Sequence, residues 1–225
     1  MKHLKLKTFG GLLFFFIALA AMMFLIAWTF NYWQAWVFLV VFYVSVFALT
    51  VYMARIDPKM LEQRINVHPA EEKEKGQKIV SAFAPIGILI VFIFPVLDHR
   101  FGWSAVPPYV SIIGDILVML GLYMVALVFK ENTFAAPPIK VDAKQKVIST
   151  GPYAIVRHPM YSSALVWFLG VPLALGSAWG VLIVIPIALL LRWRLLIEEK
   201  FLAKNLPGYV EYQKKVKYHL VPFVW

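Results

Sequence analysis

"MYSSALVWFLGVPLALGSAWGVLIVIPIALLL", residues 160–191, holds no charged side chain. About 20 apolar residues cross the hydrocarbon layer of a bilayer, so this run is too long for one span and too short for two well-separated ones. Its centre, "GVPLALGSAWG" at 170–180, carries Gly170, Pro172, Gly176 and Gly180, which supply breakers and a turn. The pattern predicts a tight helical hairpin, with arms near 160–175 and 178–200. Working outward, apolar runs at 9–30, 34–54, 79–97 and 109–129 add four spans, giving an all-α polytopic bundle of about six. The basic head and apolar body of residues 1–30 imitate a secretion signal. The run from Phe9 to Phe30 is too long for a signal core, however, and a second span follows at once, so it reads as a retained first helix.

The composition agrees. Of 225 residues, 61% are hydrophobic and only 15% charged, outside the range of soluble globular domains. With no cysteine, disulfides, thiolate nucleophiles and thiolate metal sites are excluded, and chemistry must use oxygen and nitrogen groups. A net charge of +10 could suggest nucleic acid. In a membrane protein it first reports topology and contact with anionic lipid, and no nucleic-acid partner is expected. With six spans and both termini in the cytoplasm, every Lys and Arg except Arg100 falls on the inner face, as the positive-inside bias requires. The 130–158 connector and the C-terminal tail then share that face. The charged "AEEKEKGQK" reads as a solvated connector, and no repeat or soluble domain interrupts a single membrane domain. Within it, helices of 1–129 precede a more polar C-terminal region, 130–225.

Two polar clusters border the hairpin. In the first, "STGPY" (149–153) reads as a turn and "RHPMY" (157–161) as the start of a helix, with Pro159 tolerable at its first position. The second, "RWRLLIEEKFLAKNLPGYVEY", runs from the second arm into the tail. A helix puts Arg194 and Glu198 on one face, with Glu199 close by. A hairpin makes its two ends neighbours, so Arg157, His158 and Tyr161 should meet Arg192, Arg194, Glu198 and Glu199. Together they offer donors for a carboxylate, acceptors for an ammonium or sulfonium, and an imidazole that exchanges protons near neutrality. Blander roles compete. His158 could be an interface residue, the basic groups could snorkel to headgroups, and Tyr153, Tyr161, Tyr209 and Tyr212 could anchor an aromatic belt. Two acids near a helix C-terminus oppose the macrodipole, which favours a purpose beyond local structure. Asp115, the one carboxylate inside a predicted span, is assigned a structural or interfacial role. Glycine-rich nucleotide loops, H-E-x-x-H and G-x-S-x-G are missing. Histidines scattered over both faces argue against a metal centre.

The runs "VISTGPYAIVRHPMY", "RWRLLIEEKFL" and "GYVEYQKKVKYHLVPFVW" resemble the isoprenylcysteine carboxyl methyltransferase family of integral membrane enzymes, to which phospholipid methyltransferases are more distantly similar. The resemblance covers about 130–225. It implies S-adenosylmethionine as methyl donor, held by the C-terminal subdomain in a pocket without a Rossmann sheet. By motif, Tyr153, Arg157, His158, Pro159 and Tyr161 would line the cofactor pocket and Tyr209 and Tyr212 would close it. Arg194, Glu198 and Glu199 would lie where methyl group and acceptor meet. The acceptor would be lipophilic, a prenylated cysteine carboxylate being what the family name suggests; amine, thiol and hydroxyl acceptors stay open. Family members commonly carry glycine where this chain has Ser163, which bears on close helix packing there. Two other readings compete: an NADPH-dependent reductase of the sterol reductase type, which shares an Arg-His-Pro-x-Tyr pattern, and a non-catalytic scaffold or transporter.

Overall fold

Backbone N–H and C=O groups in hydrocarbon must be satisfied within their own segment, so apolar runs of this length become helices. The computed structural model describes residues 2–58, 75–133 and 146–225. The connectors 59–74 and 134–145, which hold most of the expected solvated loops, lie outside the described residues. The helices are α1 (Lys2–Ala27), α2 (Trp33–Ile56), α3 (Lys75–Phe101), α4 (Pro108–Glu131), α5 (Pro159–Ala174), α6 (Val184–Asn205) and the short α7 (Tyr209–Lys215). The described residues contain no strand.

Five segments are long and apolar enough to cross a membrane: Lys7–Ala27, Trp33–Ile56, Gly76–Phe101, Pro108–Glu131 and Trp179–Asn205. The last joins a 3-10 turn, Trp179–Ile183, to α6. The expected sixth span is α5, which has only 16 residues. That is about 24 Å of helix, short of a layer roughly 30 Å thick. Proline at its first position starts it, and the turn after Pro172 ends it, with the Gly176 amide bonded to Leu173 O at 2.9 Å and the Ser177 amide to Pro172 O at 2.8 Å. The hairpin is therefore present but unequal. Its second arm continues past residue 200 to Asn205, so both acids stand within a helix.

Lipid tails are as apolar as leucine, so helices in a bilayer associate through close packing and hydrogen bonds. Small residues provide the closeness between α4 and α5. A Cβ on Gly121 would lie 2.6 Å from Trp167 Cβ, and one on Gly170 would lie 2.7 Å from Gly114 O. Ser163 does not loosen this contact. Its hydroxyl turns back to Pro159 O at 2.7 Å, and Gly121 leaves room for its backbone. A core of Phe38, Phe42, Phe92, Val118 and Phe168 fills the bundle, while Phe14, Leu25, Val40 and Leu189 remain exposed as a lipid-facing surface.

Hydrogen bonds fasten the rim opposite the two polar clusters. Tyr32 donates to Leu175 O at 2.6 Å, Arg100 to Ile26 O at 3.0 Å, and buried Asp98 accepts from Ser104 and Ser177. These bonds join the turns after α1, α3 and α5, confirming that the spans alternate in direction. Asp115 is buried against neighbouring helices and does not face lipid. Neither its carboxylate oxygens nor the Ser111 hydroxyl one turn away has a hydrogen-bond partner among the described residues.

Candidate functional site

The site begins where α4 ends. Gly151, at φ +55, turns the chain so tightly that a Cβ there would lie 2.6 Å from Glu131 Cγ. Thr150 donates to Glu131 at 2.8 Å and Asn132 to the Tyr153 hydroxyl at 2.9 Å, tying this turn to α4. Beyond it the backbone of 157–158 lies alongside the tail: the Arg157 amide donates to Tyr218 O at 2.9 Å and the His158 amide to His219 O at 3.0 Å. Pro159, which needs no amide partner, then opens α5.

Glu199 is the hub between α6 and this tail. Its Oε1 accepts from Arg157 Nε at 2.6 Å and from His158 Nε2 at 3.1 Å. Its Oε2 faces Arg157 Nη2 at 3.3 Å, His219 Nε2 at 3.3 Å and Gln213 Nε2 at 3.4 Å. Arg157 spends its other donors on Val216 O at 2.8 Å, Lys217 O at 3.0 Å and the His219 ring. Each guanidinium N–H thus points at a protein acceptor. Because arginine stays charged and can only donate, His219 Nε2 must accept from it, so that imidazole is neutral with its proton on Nδ1. Burial lowers the affinity of His219 for a further proton, with Arg157 reinforcing the effect and Glu199 opposing it.

A second chain of bonds runs along the neighbouring face. Tyr161 donates to Glu198 Oε2 at 2.6 Å and accepts from Arg194 Nε at 3.1 Å, while Arg194 Nη1 reaches Ser81 Oγ of α3 at 3.2 Å. His158 lies between the acids, its Nδ1 4.0 Å from Glu198 and its ring stacked beside Tyr161. The acids differ in environment. Glu199 is enclosed by the Arg157 guanidinium, two imidazoles and the Gln213 amide, whereas the Glu198 side chain keeps 21% of its surface. Arg192 stands at the edge of the cluster: it is on the opposite side of α6 from Arg194 but on the face of Glu199, and its guanidinium lies over the Trp225 ring, which stacks on His219.

The tail supplies an aromatic wall. Gly208, at φ +84, breaks the chain between α6 and α7 in a conformation that suits glycine. Leu206, Tyr209, Tyr212 and Val216 then pack on Tyr153 and Leu202. Tyr212 donates to Tyr153 O at 2.8 Å. The buried Tyr209 hydroxyl has no partner among the described residues. Burial raises the pKa of both phenols, and the Glu199 carboxylate adds to it, so both keep their protons.

Residues 109–207, which carry most of these groups, match the family model described as phospholipid methyltransferase. Over this segment the chain is similar to the phospholipid methyltransferases. Its relatives extend the likeness. Protein-S-isoprenylcysteine O-methyltransferase of Saccharomyces cerevisiae is 29% identical over 160 residues, covering 67% of this chain and 64% of the yeast protein. Cobalt-zinc-cadmium resistance protein CzcN of Cupriavidus metallidurans is 29% identical over 105 residues, 46% of this chain and 48% of that protein. The matches thus span about half to two thirds of these curated relatives. The family segment holds Tyr153, Arg157, His158, Pro159, Tyr161, Arg194, Glu198 and Glu199, and ends before Tyr209 and Tyr212.

Several groups around the site escaped the sequence reading: His219 was one of several scattered histidines, Ser81 drew no notice, and Gln77 was read as part of the solvated connector "AEEKEKGQK", whereas it is buried near the start of α3 with its amide bonded to Arg194 O at 3.2 Å. The apolar end of the tail, with Leu220, Val221, Phe223 and Trp225, was the available signal that it turns back onto the bundle.

Proposed function

We propose that this chain is an S-adenosylmethionine-dependent methyltransferase that modifies a lipophilic acceptor at the cytoplasmic face of its membrane. The single observation that carries the reading is the meeting, inside a methyltransferase family segment, of Arg157, His158 and Tyr161 with Arg194, Glu198 and Glu199 at one rim of the bundle. The cytoplasmic assignment rests on the basic residues gathered at that rim.

The residues present fit the cofactor. The buried Tyr209 phenol, without a partner among the described residues, is a donor suited to a ligand, because leaving such a group unpaired is costly. It stands near both acids, whose charge suits a cation. Tyr153, Tyr209 and Tyr212 would hold the cofactor, with His158 and Glu198 toward its charged end. Bound there, it would supply an electrophilic methyl group on a sulfonium.

The protein's own part is orientation and charge. Glu199 and Arg157 neutralise one another and lash the tail to α6, fixing the aromatic wall. Tyr161 holds Glu198 on one side and Arg194 on the other, so a carboxylate and a guanidinium face the site at a set separation. Arg194 could orient an anionic acceptor by charge-assisted bonds, and Glu198 could accept a hydrogen bond from a neutral one. Holding both half-buried at the end of membrane helices lets a lipid-borne acceptor approach from the bilayer and a soluble donor from water. Binding in a fixed geometry is where such a displacement gains most of its rate. Yeast Protein-S-isoprenylcysteine O-methyltransferase makes a prenylated cysteine carboxylate the first acceptor to try.

The reading is tested by incubating membranes that contain the protein with methyl-labelled donor and extracting the lipid-soluble fraction. Labelled product is expected, and Glu198→Gln should reduce it at least about tenfold, the scale of one displaced polar contact at a reacting centre. No label above membranes lacking the protein would refute the reading.

A further inference from the structure

Gln77, near the start of α3, is 2% exposed. Its Nε2 donates to the backbone oxygen of Arg194 at 3.2 Å, which fixes the orientation of the amide: turning it over would set two acceptors against each other. Its Oε1 is then buried and has no hydrogen-bond partner among the described residues. One helical turn further on the same face, Ser81 accepts from the Arg194 guanidinium at 3.2 Å. The packing holds α3 tightly here, since Gly76 abuts Ile197 and Trp193 of α6. This corner lies outside the family segment of 109–207. It stands at the far end of the Ser81, Arg194, Tyr161, Glu198 chain from the Tyr209 wall. Among the described residues, a polar atom without a hydrogen-bond partner thus stands at each end of this chain of contacts: the Tyr209 hydroxyl, a donor, and Gln77 Oε1, an acceptor.

We propose that α3 forms the acceptor end of the site, with Ser81 positioning Arg194 and Gln77 Oε1 receiving an N–H or O–H from the polar end of the lipophilic acceptor. The proposal rests on the methyltransferase reading and narrows it. It requires an acceptor whose headgroup carries a hydrogen-bond donor beside the group that Arg194 or Glu198 engages. A buried carbonyl oxygen left unpaired costs free energy, and a headgroup donor removes that cost only in the complex.

The test uses the full chain in detergent-lipid micelles with two probes that both carry N–H donors, N-acetyl-S-farnesylcysteine and phosphatidylethanolamine. Gln77→Met keeps the shape and removes the amide. For whichever probe is methylated, KM for the acceptor should rise about tenfold, as expected for one buried hydrogen bond, with kcat within about twofold. Thermal protection by S-adenosylhomocysteine, the demethylated donor, should be unchanged. Ser81→Ala should lower kcat with less effect on acceptor KM, and Ser81→Thr, which restores the hydroxyl, should recover it. Unchanged acceptor KM in Gln77→Met overturns the proposal, as does a parallel loss of S-adenosylhomocysteine protection, which would make Gln77 merely structural. Protection of the wild-type chain with neither probe methylated overturns the proposal and leaves the methyltransferase reading standing. No protection at all removes the reading beneath it.

Discussion

Replacing Arg157 with methionine should release the C-terminal tail. The side chains of Arg157 and Glu199 are 7% and 10% exposed, so their pairing is little screened by water. Methionine fills similar volume but abandons Glu199, two backbone oxygens at 216 and 217, and the acceptor nitrogen of His219. Removing one partner of a buried ion pair typically costs about 3–5 kcal/mol, because the other charge is left without compensation. Some of that loss is recovered if water reaches Glu199, so the lower end of the range applies. Hydrogen exchange reads the result directly. The amides of residues 157 and 158, bonded to the tail oxygens of Tyr218 and His219, should exchange at least about a hundredfold faster. Those in the middle of α4 should be unaffected. Arg157→Lys keeps the charge without the planar fork and should recover only part of the protection. Wild-type exchange rates at 157 and 158 in Arg157→Met would refute the view that this guanidinium is the tail's main fastening.

Tyr209→Phe removes a hydroxyl that has no partner among the described residues. It should weaken S-adenosylhomocysteine binding about three- to tenfold while the melting temperature without ligand holds or rises, as paired titration and thermal scans would report. Gly121→Val forces side-chain atoms against Trp167 and the Ser163 backbone, so it should destabilise the chain by about 1–3 kcal/mol, seen as earlier thermal aggregation in detergent. His219 is held neutral in the fold, its pKa lowered by burial with help from Arg157. Since the unfolded chain binds more protons below about pH 6.5, stability should be full above that value and decline as pH falls toward the folded pKa. His219→Gln should flatten that slope between about pH 7 and 5 in melting curves.

The helical architecture was legible because hydrophobic length is a strong signal and lipid leaves the backbone few choices. Of the expected breakers, Gly176, at φ +74, marks the hairpin turn, whereas Gly170 lies inside α5 against Gly114 and Pro172 lies in the last turn of that helix. Equal arms did not follow from them, because Pro159 and the turn clip α5 while nothing stops α6 until Asn205. The meeting of the two polar clusters was also legible, since a hairpin returns its ends to one place. Arg192 shows how helix phase refines that reasoning: two residues from Arg194, it lies on the other side of α6 and reaches the cluster through Trp225, which stacks on His219. The division of labour between Glu198 and Glu199 was not readable either. It depends on which acid faces Arg157 and the returning tail, a long-range contact with no local pattern. Gln77 and Ser81 were hidden for the same reason, being ordinary polar residues until α6 packs against them.

Equilibrium binding of S-adenosylmethionine to the purified chain tests the central claim most directly. Saturable uptake of one donor per chain, competed by S-adenosylhomocysteine and weakened in Glu198→Gln, is the expected result. No binding at millimolar donor, or selective binding of NADPH instead, would contradict it.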